Sequence, residues 1–121
     1  MLKKILCCLL ASGLAATAGN AAAHAHLEKA VPAADGKMDD VHELRLVFSE
    51  AVEPKLSFVR LETAEERTVT EPAAEPDPRD PKVLLVHLYE KLAPGNYRVK
   101  WSVVAADGHK SSGSYAFLAS R

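Results

Sequence analysis

Hydrophobic and polar residues alternate along several short stretches of this sequence, and that period of two residues is typical of half-buried β-strands. In residues 97–104, YRVKWSVV, the aromatic and branched side chains fall on one face, and Arg98, Lys100 and Ser102 fall on the other. Residues 43–49, ELRLVFS, alternate in the same way. The sequence has no internal repeat and no long helical period, so we predict an all-β fold. Five less regular stretches bring the prediction to about seven short strands: 26–31, 56–62, 66–71, 82–88 and 114–119.

Turn-forming residues separate these stretches, at 32–37, 53–55, 71–81 and 93–96. Four prolines lie within residues 72–81. Because proline has no backbone N–H and a fixed φ, the segment 71–81 is predicted to be a surface loop rather than a strand. A chain of about 100 residues with about seven short strands is typical of an antiparallel, immunoglobulin-like Greek-key β-sandwich.

The segment LAPGNY, residues 92–97, resembles a tyrosine corner, in which a tyrosine at the start of a strand donates a hydrogen bond back across a turn. Tyr97 would be that tyrosine. Trp101 follows four residues later on the same face of the strand. We predict that Trp101 is a core residue, because large aromatic side chains on an alternating face are usually buried.

The first 23 residues, MLKKILCCLLASGLAATAGNAAA, have the pattern of a secretory signal peptide. Two lysines precede an apolar run, and Ala21–Ala23 fits the small-residue cleavage site. A serine and a glycine interrupt the apolar run, which is shorter than the roughly 20 residues needed to span a bilayer. We therefore predict cleavage after Ala23, which leaves an exported mature domain, residues 24–121, with no membrane span.

The composition of the mature domain excludes further classes of protein. Both cysteines, Cys7 and Cys8, belong to the leader, so residues 24–121 contain no thiol and no disulfide. Lys3 and Lys4 are removed as well, which leaves 13 basic residues against 16 acidic ones and a formal charge of −3. Nucleic-acid-binding domains are typically basic, so we expect no nucleic-acid partner.

Cleavage after Ala23 would make His24 the first residue of the mature protein. The free amine and the imidazole Nδ1 of an N-terminal histidine can bind one metal ion together. Residues 103–113, VVAADGHKSSG, supply Asp107 and His109, whose spacing in an extended segment would direct both side chains to one side. Two imidazoles, an amine and a carboxylate form a donor set that suits tetragonal Cu(II), which the Irving–Williams order favours over Zn(II).

Soft metal ligands are almost absent from the mature domain. It contains no cysteine and a single methionine, Met38. A blue-copper centre needs a cysteine, and a methionine-rich Cu(I) site needs several methionines. The ligand inventory therefore predicts copper in its oxidised state.

Three segments of the mature domain resemble the CopC/YobA family of periplasmic copper-binding (copper resistance) proteins: HAHLEKAVPAADG, LRLVFSEAVEP and LAPGNYRVKWSVVAADGHKSSGSYAF. The resemblance implies a periplasmic β-sandwich that binds one Cu(II) through His24, Asp107 and His109. It places the acid of the FSE motif at Glu50, as a weak ligand or an outer carboxylate near the metal.

The same resemblance implies a copper carrier or buffer in copper homeostasis or resistance, and not an enzyme. It implies an inner-membrane copper transporter of the CopD type as a partner. Longer copper-resistance members of this family have a methionine-rich loop that this sequence lacks, so we expect a single Cu(II) site and no Cu(I) site.

A second geometry is available to the N-terminal histidines. His24-Ala25-His26 is an amino-terminal Cu(II)/Ni(II) motif, which would use the amine, two backbone amide nitrogens and the imidazole of His26. It competes for the amine that the His24 chelate needs. We favour the His24 geometry, because strand pairing by residues 26–31 would engage the backbone amides and because Asp107 and His109 offer further donors.

Two other classes of protein share parts of this pattern. Oxidative polysaccharide-cleaving copper enzymes also chelate through an N-terminal histidine, but the anionic Asp107 would stabilise Cu(II) against the reduction that oxygen activation needs. An immunoglobulin-like adhesion or structural domain is the metal-free alternative, in which Asp107-Gly108-His109 is only a turn.

The mature domain contains two further histidines. His42 is expected to be exposed. His87, with no second donor at ligand spacing, is expected to be a satisfied or half-buried strand residue.

Overall fold

The computed structural model describes residues 24–69 and 73–121, so the predicted signal peptide lies outside the described residues. Nothing in these two ranges forms a helix long and apolar enough to cross a membrane. A 3-10 turn covers Pro54–Leu56. The strands are β1 (Leu27–Val31), β2 (Lys37–Asp39), β3 (Glu43–Phe48), β4 (Phe58–Thr63), β5 (Glu75–Asp77), β6 (Asp80–His87), β7 (Gly95–Val104) and β8 (Lys110–Ser120).

The strands form two four-stranded sheets, with the orders β1-β3-β6-β5 and β2-β8-β7-β4. This arrangement confirms the predicted β-sandwich. Among the described residues, five of the six strand pairs are antiparallel, as predicted, and the sixth, between β2 and β8, is parallel, which the sequence did not predict. Residues 32–36 connect β1 to β2 in the other sheet.

The core lies between the two sheets and is built by the alternating residues of the longer strands. Every second residue of β3 is buried, as its sequence pattern predicts. Trp101 is buried, which confirms the prediction, and its ring meets Phe48 edge to face at a centroid distance of 5.2 Å. Directly opposite Trp101 in β8 stands Gly113, where a Cβ atom would lie 2.6 Å from Trp101 Cζ2. The indole therefore fills the space that the glycine leaves open.

Two local predictions differ from the structure, and one strand was not predicted. The segment 71–81 contains the short edge strand β5, where Pro76 is tolerated because only one side of the strand is paired. Residues 66–69 do not form a strand, since the chain turns at Glu66 (φ 61°) and only Thr68 makes an isolated bridge; residues 70 and 71 lie outside the described residues. The strand β2 was not predicted, because all three of its residues are exposed and show no apolar pattern.

The tyrosine corner is present as predicted. Tyr97 Oη donates a hydrogen bond of 2.7 Å to the carbonyl oxygen of Ala93. The ring of Tyr97 stacks on Phe117 at a centroid distance of 5.7 Å. Tyr115 differs, because its hydroxyl is buried with no hydrogen-bond partner among the described residues, and burial raises the pKa of Tyr115.

The two tyrosines should respond in opposite ways to removal of the hydroxyl. We expect Tyr97→Phe to lower the free energy of unfolding by about 1 kcal/mol, because one intramolecular hydrogen bond is lost. Tyr115→Phe should be neutral or should stabilise the fold by up to about 1 kcal/mol, since it removes a buried hydroxyl that no group satisfies. Urea denaturation of the two variants measures both changes, and a larger loss for Tyr115→Phe would contradict the assignment.

Candidate metal centre

Three chain segments meet at one end of the sandwich. They are residues 24–26 before β1, residues 49–52 after β3, and residues 105–109 between β7 and β8. The Ser49 amide donates to the His26 carbonyl (2.8 Å), and the Ala106 amide donates to the Ala51 carbonyl (2.9 Å). The segment that follows β3 therefore joins the N-terminal segment to the loop that carries Asp107 and His109.

Asp107 and His109 lie in a tight turn, not in the extended segment that the sequence suggested. The Gly108 amide donates to the Ala105 carbonyl (2.8 Å), and the Ala105 amide donates to the His109 carbonyl (2.8 Å). Gly108 has a φ of +90°, a conformation that favours glycine. The Asp107 Oδ1 atom accepts the His109 backbone N–H at 3.0 Å, as aspartates in turns commonly do.

The turn brings the predicted ligands together in a different way. The Asp107 Oδ2 atom lies 2.9 Å from His109 Nδ1. The ring of His109 lies across from the ring of His24, with a centroid distance of 5.6 Å, and the ring of His26 lies 6.4 Å from that of His24. All three histidines are exposed. Two imidazoles and one carboxylate from distant parts of the sequence thus face the same small region of the surface.

The electrostatics of the turn keep the Asp107 carboxyl ionised. The His109 backbone N–H, and after it the His109 side chain, hold the pKa of the Asp107 carboxyl below its usual range. An ionised carboxylate can bind a cation directly, or it can accept the Nδ1 proton of His109 and orient the Nε2 atom toward a metal. The present contact uses Nδ1, which leaves Nε2 as the ring nitrogen that can face a metal.

The side chains alone do not complete a metal site. In residues 24–69 and 73–121, no three His, Cys, Asp or Glu side chains are grouped so that they could hold a metal ion. The donors that do converge are nitrogen and oxygen atoms, which suit Cu(II) better than Cu(I). Met38, the soft ligand of the mature domain, lies in β2, outside the three segments of this cluster. A further donor is needed, and the amine of a processed N-terminus at His24 would supply it.

Glu50 belongs to residues 49–52, one of the three segments that meet at this end of the sandwich. It is exposed, and its neighbours Ser49 and Ala51 bind the N-terminal segment and the Asp107 turn. No hydrogen bond or ion pair among the described residues joins Glu50 to His24 or His109. Its position is consistent with an outer carboxylate, and its role as a ligand stays a prediction.

Two serines that the sequence reasoning missed fix the backbone of the N-terminal segment. Ser49 Oγ accepts the His26 N–H (2.8 Å), and Ser111 Oγ donates to the Ala25 carbonyl (2.6 Å). Serine is too common in loops and strands to draw attention by residue type. Ser111 and Ala25 are also 86 residues apart in the sequence, so no local pattern could pair them.

The remaining two histidines lie outside the cluster. His42 is exposed, as predicted, and its Nδ1 is 2.9 Å from the Asp40 carbonyl oxygen. His87 is a satisfied strand residue, as one form of the prediction had it, but it is exposed and not half-buried. Neighbouring strands supply two carboxylates, with His87 Nδ1 3.0 Å from Glu43 Oε2 and Nε2 3.8 Å from Glu75 Oε2. The pairing of strands, which the spacing of residues along the chain does not show, explains these contacts.

Known proteins are similar to this chain in both sequence and fold. A protein named YobA from Escherichia coli K12 is 38% identical over 96 residues, which cover 78% of this chain and 77% of that protein. A copper resistance protein C from Escherichia coli is 31% identical over 116 residues, 90% of this chain and 92% of that protein.

Two crystal structures superimpose on most of the chain. CopC from Methylosinus trichosporium OB3b matches with a TM-score of 0.73 and 30% identity, over 79% of this chain and 93% of that one. PcoC, described as a methionine-rich copper resistance protein from Escherichia coli, matches with a TM-score of 0.72 and 31% identity, over 81% and 100% of the two chains. The family model for the CopC domain matches residues 27–120, which confirms the resemblance seen in the sequence, and the chain belongs to the CopC family.

Proposed function

We propose that the protein is an exported Cu(II) carrier or buffer of the periplasm that acts in copper homeostasis or resistance. The observation that carries the proposal is the approach of His24 to His109, with Asp107 held against His109. The mature chain begins at His24. Copper is then bound by the amine and imidazole of His24, by His109 and by the Asp107 carboxylate, with Glu50 as a weak or outer carboxylate.

The metal assignment is supported by the donors and by the relatives. Imidazole, amine and carboxylate donors favour Cu(II) over the other divalent metals of the first transition row. Two of the Escherichia coli relatives are named for copper resistance, and one of these two is described as methionine-rich. The single methionine of the mature domain here supports one Cu(II) site without a Cu(I) site.

A metal titration of the chain that begins at His24 tests the function. One equivalent of Cu(II) should bind in competition with a chelator, and Zn(II) should not displace it, because Cu(II) precedes Zn(II) in affinity for such donors. Cu(I) should bind poorly, since the mature domain has no thiolate and only one thioether. Failure to bind Cu(II) at an equimolar ratio, or tight binding of Cu(I), would reject the proposal. Mass analysis of the exported protein provides the accompanying check that the chain begins at His24.

The proposed role does not include oxidative catalysis. An anionic Asp107 at the metal favours Cu(II) and opposes reduction, so the copper-loaded protein should release no oxidised oligosaccharides from chitin or cellulose with reductant and peroxide. Release of such products would show that the protein is an enzyme and would contradict the carrier role. An inner-membrane transporter of the CopD type is the proposed recipient, and it rests on the family resemblance alone.

A further inference from the structure

We propose that Ser49 and Ser111 are positioning residues that select how the N-terminal histidines bind copper. This inference rests on the proposed function. The two serines hold the main chain of residues 24–26 so that His24 acts together with His109, and so that the amino-terminal motif His24-Ala25-His26 cannot wrap around the metal. We call these two residues the serine clamp.

Ser49 holds the segment from the sheet that contains β3. Its Oγ atom accepts the His26 N–H at 2.8 Å and lies 3.3 Å from the His24 carbonyl oxygen. Its own backbone N–H donates to the His26 carbonyl at 2.8 Å. Three polar backbone groups of the two histidines are therefore engaged by this one residue.

Ser111 holds the segment from the other sheet. It is the second residue of β8, and its hydroxyl donates to the Ala25 carbonyl at 2.6 Å. The side chain of Ala25 is fully buried in the core, whereas His24 and His26 on either side are exposed. This alternation is that of an extended chain, which is anchored between the sheets at its middle residue.

The amino-terminal motif requires a different main chain. Its metal is bound by the amine, by the amide nitrogens of residues 25 and 26 and by the His26 imidazole, so both amide nitrogens must point toward one ion. In an extended chain, successive amides point to opposite edges. To wrap around copper, the segment would have to release the His26 N–H from Ser49, release the Ala25 carbonyl from Ser111, and withdraw the Ala25 side chain from the core.

The ring positions agree with this selection. The His24 ring is closer to the His109 ring, at 5.6 Å, than to the His26 ring, at 6.4 Å. With the backbone held, His24 can pair with His109 while His26 stays outside the ligand set. Without the serine clamp, residues 24–26 can supply all four nitrogen ligands of the amino-terminal motif, and no other residue is needed.

The test is the Cu(II) electron paramagnetic resonance spectrum of Ser49→Ala/Ser111→Ala, in the chain that begins at His24. The reference is the synthetic peptide His-Ala-His-Leu, which can adopt only a geometry built on its own residues. We expect the spectrum of the double variant to move to that of the peptide. In this background His109→Ala should have little effect on affinity, and His26→Ala should abolish tight binding; in the parent chain the two substitutions should act the other way round.

Matched variants separate selection of the geometry from a loss of structure. Ser49→Thr keeps a hydroxyl and should retain the parent spectrum, and Ser112→Ala, at the exposed serine beside Ser111, should also retain it. If the double variant does not fold, each single variant should show a mixture of the two spectra. The inference is overturned if the folded double variant, or both folded single variants, keep the parent spectrum. A parent chain that already shows the peptide spectrum would overturn the proposed ligand set itself.

Discussion

One glycine placed ahead of His24 should lower the Cu(II) affinity of the mature protein by more than about 100-fold. The reason is that the amine would move away from the imidazole with which it forms a chelate. In metal sites, removal of a residue that only hydrogen-bonds to a metal ligand typically lowers metal affinity by about 10- to 100-fold. Removal of an atom that itself binds the metal should lower the affinity further. Chelator competition at fixed pH measures the change.

The metal-free stability should not change with this extension. The serine clamp holds residues 24–26 through their carbonyls and the His26 N–H, none of which an added residue removes. A protein with one glycine added after Arg121 is the matched control for chain length. Equal Cu(II) affinity of the two extended proteins would reject binding through the amine.

His109→Ala should produce the second large effect, again a loss of more than about 100-fold in Cu(II) affinity. The substitution removes the imidazole that faces His24 and leaves the Asp107 carboxylate without its side-chain partner. Asp107→Asn should weaken binding by about 10- to 100-fold, because it removes the negative charge whether that carboxylate binds copper or orients His109. Competition titrations compare the variants.

His87→Ala is the matched control for removal of an exposed histidine. The side chain of His87 contacts Glu43 and Glu75, and none of the three segments of the metal centre supplies a partner to it among the described residues. Its loss should leave the Cu(II) affinity unchanged. A similar loss for His87→Ala and His109→Ala would mean that surface histidines bind copper without a defined site.

The sequence predicted those parts of the fold that alternate strongly. The strands β3 and β7 and the buried Trp101 follow from a period of two residues, and the corner at Tyr97 follows from a short turn motif. The strands β2 and β5 did not follow, because each is three residues long, lies at a sheet edge and is held by pairing to a neighbour and not by its own apolar face.

The candidate site was predicted by residue type and not by geometry. The convergence of His24 and His109 could be expected from donor chemistry, but the tight turn around Gly108 and the direct contact of Asp107 with His109 could not. The serine clamp was missed, because a hydroxyl that binds a backbone group far along the chain leaves no spacing to recognise. Such contacts depend on the register in which the strands pair.

The number of imidazoles bound to copper tests the central claim most directly. Pulsed electron paramagnetic resonance of the chain that begins at His24, loaded with one equivalent of Cu(II), counts the imidazoles in the equatorial plane. We expect two imidazoles in the parent and in His26→Ala, and one in His109→Ala. A single imidazole in the parent that persists in His109→Ala and disappears in His26→Ala would contradict that claim.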